Sequence, residues 1–290
     1  MLVAVFSVTF AFAQTQNTTA NEKLLEAASN FDWRNIDIAI EEGADVKNAK
    51  DSFDRNVLMA LLEDSYWKHV GNVTNILKFH EDKVKSGLVQ HLIDLGADVN
   101  ARDIIGDTPL MYAARYGFYN VVNTLIENGA KVNDKGAANR TALIQTIDWR
   151  REIRTQVYTA TGYKNLIPHS KYINIIKVLA KKGKDVIDAQ DTNRDTALHI
   201  AVSKGEKDVV EILVNAGARK DLKNSENKIP YDYARELYNK LLDKQRRGYI
   251  GVKSELRNIK KIMEMTEPPT EKVERQIGQN VTKKLDEVLS

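Results

Sequence analysis

Residues 96–134 read GADVNARDIIGDTPLMYAARYGFYNVVNTLIENGAKVND, and the stretch opens and closes on one phrase. Gly96-Ala97-Asp98-Val99-Asn100 returns as Gly129-Ala130-Lys131-Val132-Asn133, 33 residues later. A fixed period of this size marks an array built by stacking like units. Between the two copies, Thr108 is predicted to cap a helix. Pro109 suits the first helical position, where its missing N–H is not needed. Leu110, Ala113 and Ala114 fall on one helical face. Gly117 is placed to end that helix. Val121, Val122, Leu125 and Ile126 make the apolar stripe of a second helix, which Gly129 ends. The rest is a turn-rich connector with no core of its own.

The same register extends in both directions. Leu24, Ala27 and Ala28 answer to Leu110, Ala113 and Ala114, and Gly43-Ala44-Asp45-Val46 repeats the phrase. Asn56 to Thr108 is 52 residues, 19 more than one period, and Thr141 to Thr196 is 55, 22 more. Both excesses fall between the two helices of a unit, near 63–88 and 148–172. They predict insertions at the helix–helix turn, two units apart, that lengthen the first hairpin and form a looser excursion in the second. Thr196 to Ile229 is again 33. Six units can be counted.

This pattern resembles the ankyrin repeat family: a TPLHxAA-like helix, a glycine turn, a second helix, then GADVNA and a hairpin-like finger. The resemblance implies an all-α solenoid of stacked helix-turn-helix units with projecting fingers. It also implies a non-enzymatic scaffold that binds other proteins through fingertips and the inner face of the first helices. By the same resemblance, His199 in the TALHIA phrase braces the repeat by bonding to backbone.

Residues 1–13, MLVAVFSVTFAFA, carry no charge and end in Ala11-Phe12-Ala13. They are shorter than a bilayer-spanning helix, which needs roughly 20 residues. They read as an export signal cleaved after Ala13, although no basic residue precedes the apolar run. The alternative is a buried N-terminal strand or helix. Export would place the mature chain in a secreted or periplasmic compartment, with no membrane span. Residues 14–21 form a polar leader, 22–240 the repeats, and 241–290 a helical cap or tail. Apolar spacing there predicts helices over 231–242, 254–265 and 270–288. They cover the end of the stack, or the last one pairs with a partner or with itself. The latter is the alternative function, a structural or self-assembling envelope element. Monomer or weak self-association is expected. With no cysteine, packing alone must hold the chain together.

The net charge of +3 conceals a gradient. Acids dominate 14–64, while 149–185 is basic and could steer an acidic partner. No nucleic-acid recognition motif is present. No nucleophile elbow, phosphate loop, dinucleotide fingerprint or metal-binding histidine pair occurs. The expectation is no enzyme, cofactor or metal.

Carried over by position, the candidate partner-binding residues are Arg102, Ile104 and Ile105 on a finger and Tyr112 and Arg115 on an inner helix. Tyr66 and Trp67 in the first insertion, and Trp149, Arg150, Arg151 and Tyr163 in the second, complete the set. Trp, Tyr and Arg are enriched at binding hot spots. The alternative for the insertion aromatics is that they pack the enlarged hairpins.

Overall fold

The computed structural model describes residues 18–67, 82–148 and 169–268, apart from the side chains of 64–67, 82–84 and 169. Among these residues the chain is all-α, with no strand beyond two isolated bridges. It divides into two compact units, Met1–Leu179 and Ala180–Ser290.

Unit one holds α1 (18–29), α2 (Trp33–Glu41), α3 (Val57–Trp67), α4 (Asp82–Asp94), α5 (Pro109–Arg115), α6 (Tyr119–Glu127), α7 (142–148) and α8 (His169–Ala180), whose last residue meets the boundary. The inner helices α3 and α5 pack on each other, and so do the outer helices α4 and α6. Each inner helix also packs on the outer helix of its own hairpin. An inner helix therefore has neighbours on several sides, and every residue of α5 is buried. Ala113 and Ala114 have no side-chain bulk to hold the next helix away. On α6 the stripe Val121, Val122 and Leu125 is fully buried. Each such side chain contributes about 1.5–3 kcal/mol.

The recurring Gly-Ala pair locks the outer helix. Gly43, Gly96, Gly129 and Gly217 all sit at positive φ, and the alanine that follows each one donates its N–H back to the helix. Ala44 bonds Ala39 O at 2.9 Å, Ala97 bonds Leu92 O at 2.9 Å, Ala130 bonds Leu125 O at 2.9 Å and Ala218 bonds Leu213 O at 3.0 Å. This is the six-to-one closure of a Schellman cap, and it requires a left-handed residue at the glycine. The repeated phrase is thus a repeated stop.

One expectation is corrected. Thr108 has extended backbone at the N-cap of α5, but its side chain makes no capping bond. The fixed φ of Pro109 and the Tyr112 N–H to the Thr108 carbonyl, 3.1 Å, begin the helix without it.

Helices α3 and α4 are 11 and 13 residues long, against 7 and 9 for α5 and α6. The first insertion lengthens both arms of its hairpin. Residues 68–81 and 149–168 lie outside the described set, and so does any contact between the insertions.

Unit two holds α9 (Lys184–Ile187), α10 (Ala197–Ser203), α11 (Lys207–Asn215), α12 (Pro230–Arg246) and α13 (Val252–Thr266). It follows the same rule: α10 packs on α11 and α12, and α13 packs on α11 and α12. Helix α12 runs unbroken through residue 240, so the expected boundary between repeats and cap falls inside a helix. The physical reason is that α12 and α13 stand as the inner and outer helices of a sixth, enlarged hairpin. Leu256, Ile259 and Ile262 of α13 are buried. The third expected helix, 270–288, lies outside the described residues.

Candidate functional site

Among the described residues, five tight turns form the fingers. In each, the N–H of the first residue donates to the carbonyl of the fifth and closes the loop: Asp51 to Arg55, Asp103 to Asp107, Gly136 to Arg140, Asp191 to Asp195 and Asn224 to Lys228, all at 3.0–3.1 Å from N to O. The fourth residue of each loop has positive φ: Asp54, Gly106, Asn139, Arg194 and Asn227. Four of the loops open on an Asp or Asn whose Oδ1 accepts two N–H groups of its own loop. Asp51 takes those of Phe53 and Arg55, Asp103 those of Ile105 and Asp107, Asp191 those of Asn193 and Asp195, and Asn224 those of Glu226 and Lys228, at 2.8–3.0 Å. A short side chain that bonds its own backbone two residues on is what makes Asp and Asn turn residues.

The loop at 136–140 has no such side chain. Asp107 of the preceding finger supplies the carboxylate instead, accepting the Ala137 N–H at 2.9 Å. A Cβ on Gly136 would overlap that carboxylate and lie 2.6 Å from Met111 Sδ. The glycine is there to admit Asp107.

Neighbouring fingers are stitched by backbone. Ile104 N–H bonds Phe53 O at 3.0 Å, and Ser225 N–H bonds Asn193 O at 2.9 Å in the same register. The first of these bonds sets three apolar side chains side by side in solvent. Phe53 is 56 % exposed, Ile104 62 % and Ile105 56 %. The Arg55 guanidinium lies 5.2 Å from the Phe53 ring centroid, and Arg55 is itself fixed by Asp51 at 2.6 Å and by Glu63. A cation held over an aromatic face attracts it, so the phenyl ring is presented in place.

Ile104 and Ile105 stand at the tip where the sequence puts them. Phe53 is absent from the sequence candidates. Its signal is positional: it occupies the Ile105 place of the preceding finger, 52 residues earlier, across the first insertion. Arg102 projects from the same finger, but its guanidinium is engaged. It donates to Gly106 O at 3.1 Å and Lys135 O at 2.8 Å and pairs with Asp134 at 3.1 Å. It ties one finger to the next.

Tyr112 and Arg115 are corrected as surface candidates, because both are buried. Tyr112 donates to Asp103 Oδ2 at 2.8 Å. Burial, then that bond, push its phenol well above the ordinary range. Arg115 pairs with the fully buried Asp107, and its Nε and terminal nitrogen donate to Gln145 Oε1 at 3.2 and 2.6 Å. Gln145 Nε2 in turn donates to Asp107 Oδ1 at 2.8 Å. Burial opposes the charge on Arg115, and Asp107 together with Tyr116 and Tyr112 more than restores it. An inner helix covered by the next repeat has no free face at these positions, and the groups serve to join repeats.

Tyr66 and Trp67 end α3, with their side chains outside the described residues; Trp149, Arg150, Arg151 and Tyr163 lie outside them altogether. His199 is buried and does brace its repeat. Its Nδ1 accepts the Thr196 N–H at 3.2 Å, and its Nε2 meets Lys228 O of the next finger at 3.1 Å. Burial lowers its pKa. Among the described residues no group of side chains could hold a metal ion, and no helix is long and apolar enough to cross a membrane.

Paired helices stacked inner on inner and outer on outer, with hairpin fingers bonded in series, define a repeat protein of the helix-hairpin-and-finger class. The family model for ankyrin repeats matches residues 81–157 and 166–237 in three copies, and the chain belongs to that family. Protein VAPYRIN-LIKE of Medicago truncatula is 28 % identical over 153 residues, covering 50 % of this chain and 27 % of that protein. Transient receptor potential cation channel subfamily A member 1 of Homo sapiens is 32 % identical over 147 residues, 51 % of this chain and 12 % of that protein. Putative ankyrin repeat protein FPV031 of fowlpox virus is 29 % identical over 153 residues, 46 % and 45 %. The chain spans less than half the length of each of these relatives. Ankyrin repeats are generally protein-interaction modules, and the family is typically non-enzymatic.

Proposed function

We propose that this chain is a non-enzymatic binding scaffold that grips a protein partner at the fingertips formed by Phe53, Ile104 and Ile105. One observation carries the reading. Three large apolar side chains stand more than half exposed on adjacent fingers whose backbones are bonded together. Isolated exposed apolar residues are ordinary, but a contiguous apolar cluster on a rigid frame marks an interaction site. The frame matters because no ordering of the fingers is needed on binding, which lowers the cost of association. Lys50 and Lys135 are exposed on the same run of fingers, which favours a partner that offers an apolar side chain among acidic ones.

The test is affinity capture from the native source with the full chain, set against the triple variant Phe53→Ser/Ile104→Ser/Ile105→Ser. A second control, Trp33→Ser/Ile38→Ser, removes exposed apolar area elsewhere in unit one. The partner is expected to be lost with the first variant and kept with the second. Equal capture by all three would end the proposal.

The proposal includes export, with residues 1–13 removed after Ala13. The apolar run and its small-residue end support that reading. N-terminal sequencing of the mature chain should begin at Gln14; a chain still carrying Met1 in the cytoplasm would refute it.

A further inference from the structure

Helices α12 and α13 meet at a turn whose backbone repeats the cap that ends α11 and whose side chains do not. Arg247 N–H bonds Asp243 O, Gly248 N–H bonds Gln245 O and Tyr249 N–H bonds Lys244 O, at 3.0–3.1 Å, so α12 ends in a complete Schellman cap. In that cap the residue after the glycine ordinarily rests on an apolar side chain one turn back. Here the residue one turn back is Lys244, and Tyr249 stays 62 % exposed. Ile250 follows at 101 %, with nothing against it. Gly248 and Gly251, both at positive φ, hold the pair between them.

The surroundings are as one-sided as the tip. Over 240–261 there are eight bases, Lys240, Lys244, Arg246, Arg247, Lys253, Arg257, Lys260 and Lys261, against Asp243 and Glu255. All ten are exposed. A protruding Tyr-Ile pair ringed by cations offers two complementary contacts to one kind of surface. The apolar pair enters the boundary between headgroups and acyl chains, where aromatic rings are favoured. The bases meet the negative surface potential of anionic lipids.

We propose that the α12–α13 tip docks on an anionic lipid bilayer, with Tyr249 and Ile250 inserted and the Lys and Arg side chains against the headgroups. A wholly polar acidic surface would satisfy the bases and give Ile250 no apolar contact; an acidic protein with an apolar pocket would satisfy both, and binding to vesicles separates it from a bilayer.

The experiment is vesicle flotation of the full chain with phosphatidylcholine vesicles and with phosphatidylcholine containing phosphatidylserine. The readout is the excess binding that phosphatidylserine confers. The wild-type chain should show an excess that falls as salt rises. Ile250→Ser should lower it at least fivefold. Arg246→Gln/Lys253→Gln should lower it about 25-fold, at roughly fivefold per base; Arg247 is left in place because it pairs with Asp243 at 2.9 Å. Circular dichroism of both variants should match wild type, because these side chains are exposed. No phosphatidylserine-dependent excess overturns the proposal, as does an excess that Ile250→Ser leaves intact. A dimer that Ile250→Ser dissolves, without any excess on vesicles, also overturns it and assigns the tip to a second copy of the chain.

Discussion

Asp107 connects three parts of unit one through a single carboxylate: its own inner helix through Arg115, the next inner helix through Gln145, and the next finger through the Ala137 N–H. A buried ion pair is poor evidence of net stability, but removing one member leaves the other charged and unpaired in the interior. Arg115→Ala should therefore destabilise unit one by about 3–5 kcal/mol in urea titration. Were Arg115 a surface contact, the change would be within about 0.5 kcal/mol. Gly136→Ala should cost about 1–3 kcal/mol by overpacking, because the added methyl meets Asp107 and Met111. His199 gives a pH dependence of definite sign. Burial holds its pKa below the ordinary value of about 6.5. The unfolded chain then binds more protons than the folded one as pH falls. The stability from neutral His199 is present in full above the unfolded pKa and is lost as pH falls from there through the lower folded value. Melting the full chain at pH 7.5 and 5.5 should show a larger acid-induced drop for wild type than for His199→Gln. At this scale the sequence marked the His199 brace correctly and misassigned Tyr112 and Arg115. Position along a repeat says which helix a residue is on. It does not say that Asp107, 8 residues earlier, and Gln145, 30 residues later, will enclose it.

Helix stops carry the period, and two of them separate strain from packing. Gly129 has φ of +88° and no atom within 4 Å of where a Cβ would stand, so Gly129→Ala should cost only the left-handed penalty, about 1–2 kcal/mol. Gly117 has φ of +77° and also faces the Tyr172 ring, 3.0 Å from the place of its Cβ. Gly117→Ala should cost about 1–3 kcal/mol more. Both lie in unit one, so their midpoints in one denaturant series are comparable. The first repeat already departs from the rule: Phe31, at φ of +57°, stands where Gly117 stands in the third. Its ring lies 4.6 Å from the buried Lys85 ammonium, which also sits 4.2 Å from the Phe118 ring. Elements of this kind were legible because each is written locally, in a glycine, a proline or an apolar stripe. The α5 cap failed to follow because Pro109 and the backbone begin that helix unaided. The extent of α12 was hidden because Gln245-Arg246-Arg247-Gly248 reads as a break after Leu242, although Gly248 alone ends the helix and the three residues before it complete its last turn and cap.

At the scale of the molecule, two units each repeat one packing rule, and the proposed functions fall on different parts of them. The fingertip cluster belongs to unit one and the Tyr249-Ile250 tip to unit two. Half of the fingertip cluster's logic was visible in the Ile104-Ile105 pair. The other half required Phe53 to be set beside it across an insertion that obscures the period. The central claim is that a protein partner is held at those tips. Its most direct test is site-specific photocrosslinking, with a photoreactive phenylalanine analogue replacing Phe53, Ile104 or, as a control, Ile38 in the full chain in its native source. The account predicts one discrete protein crosslinked from Phe53 and Ile104 and absent from Ile38. Crosslinks from Ile38 alone, or none from either fingertip position, would contradict it.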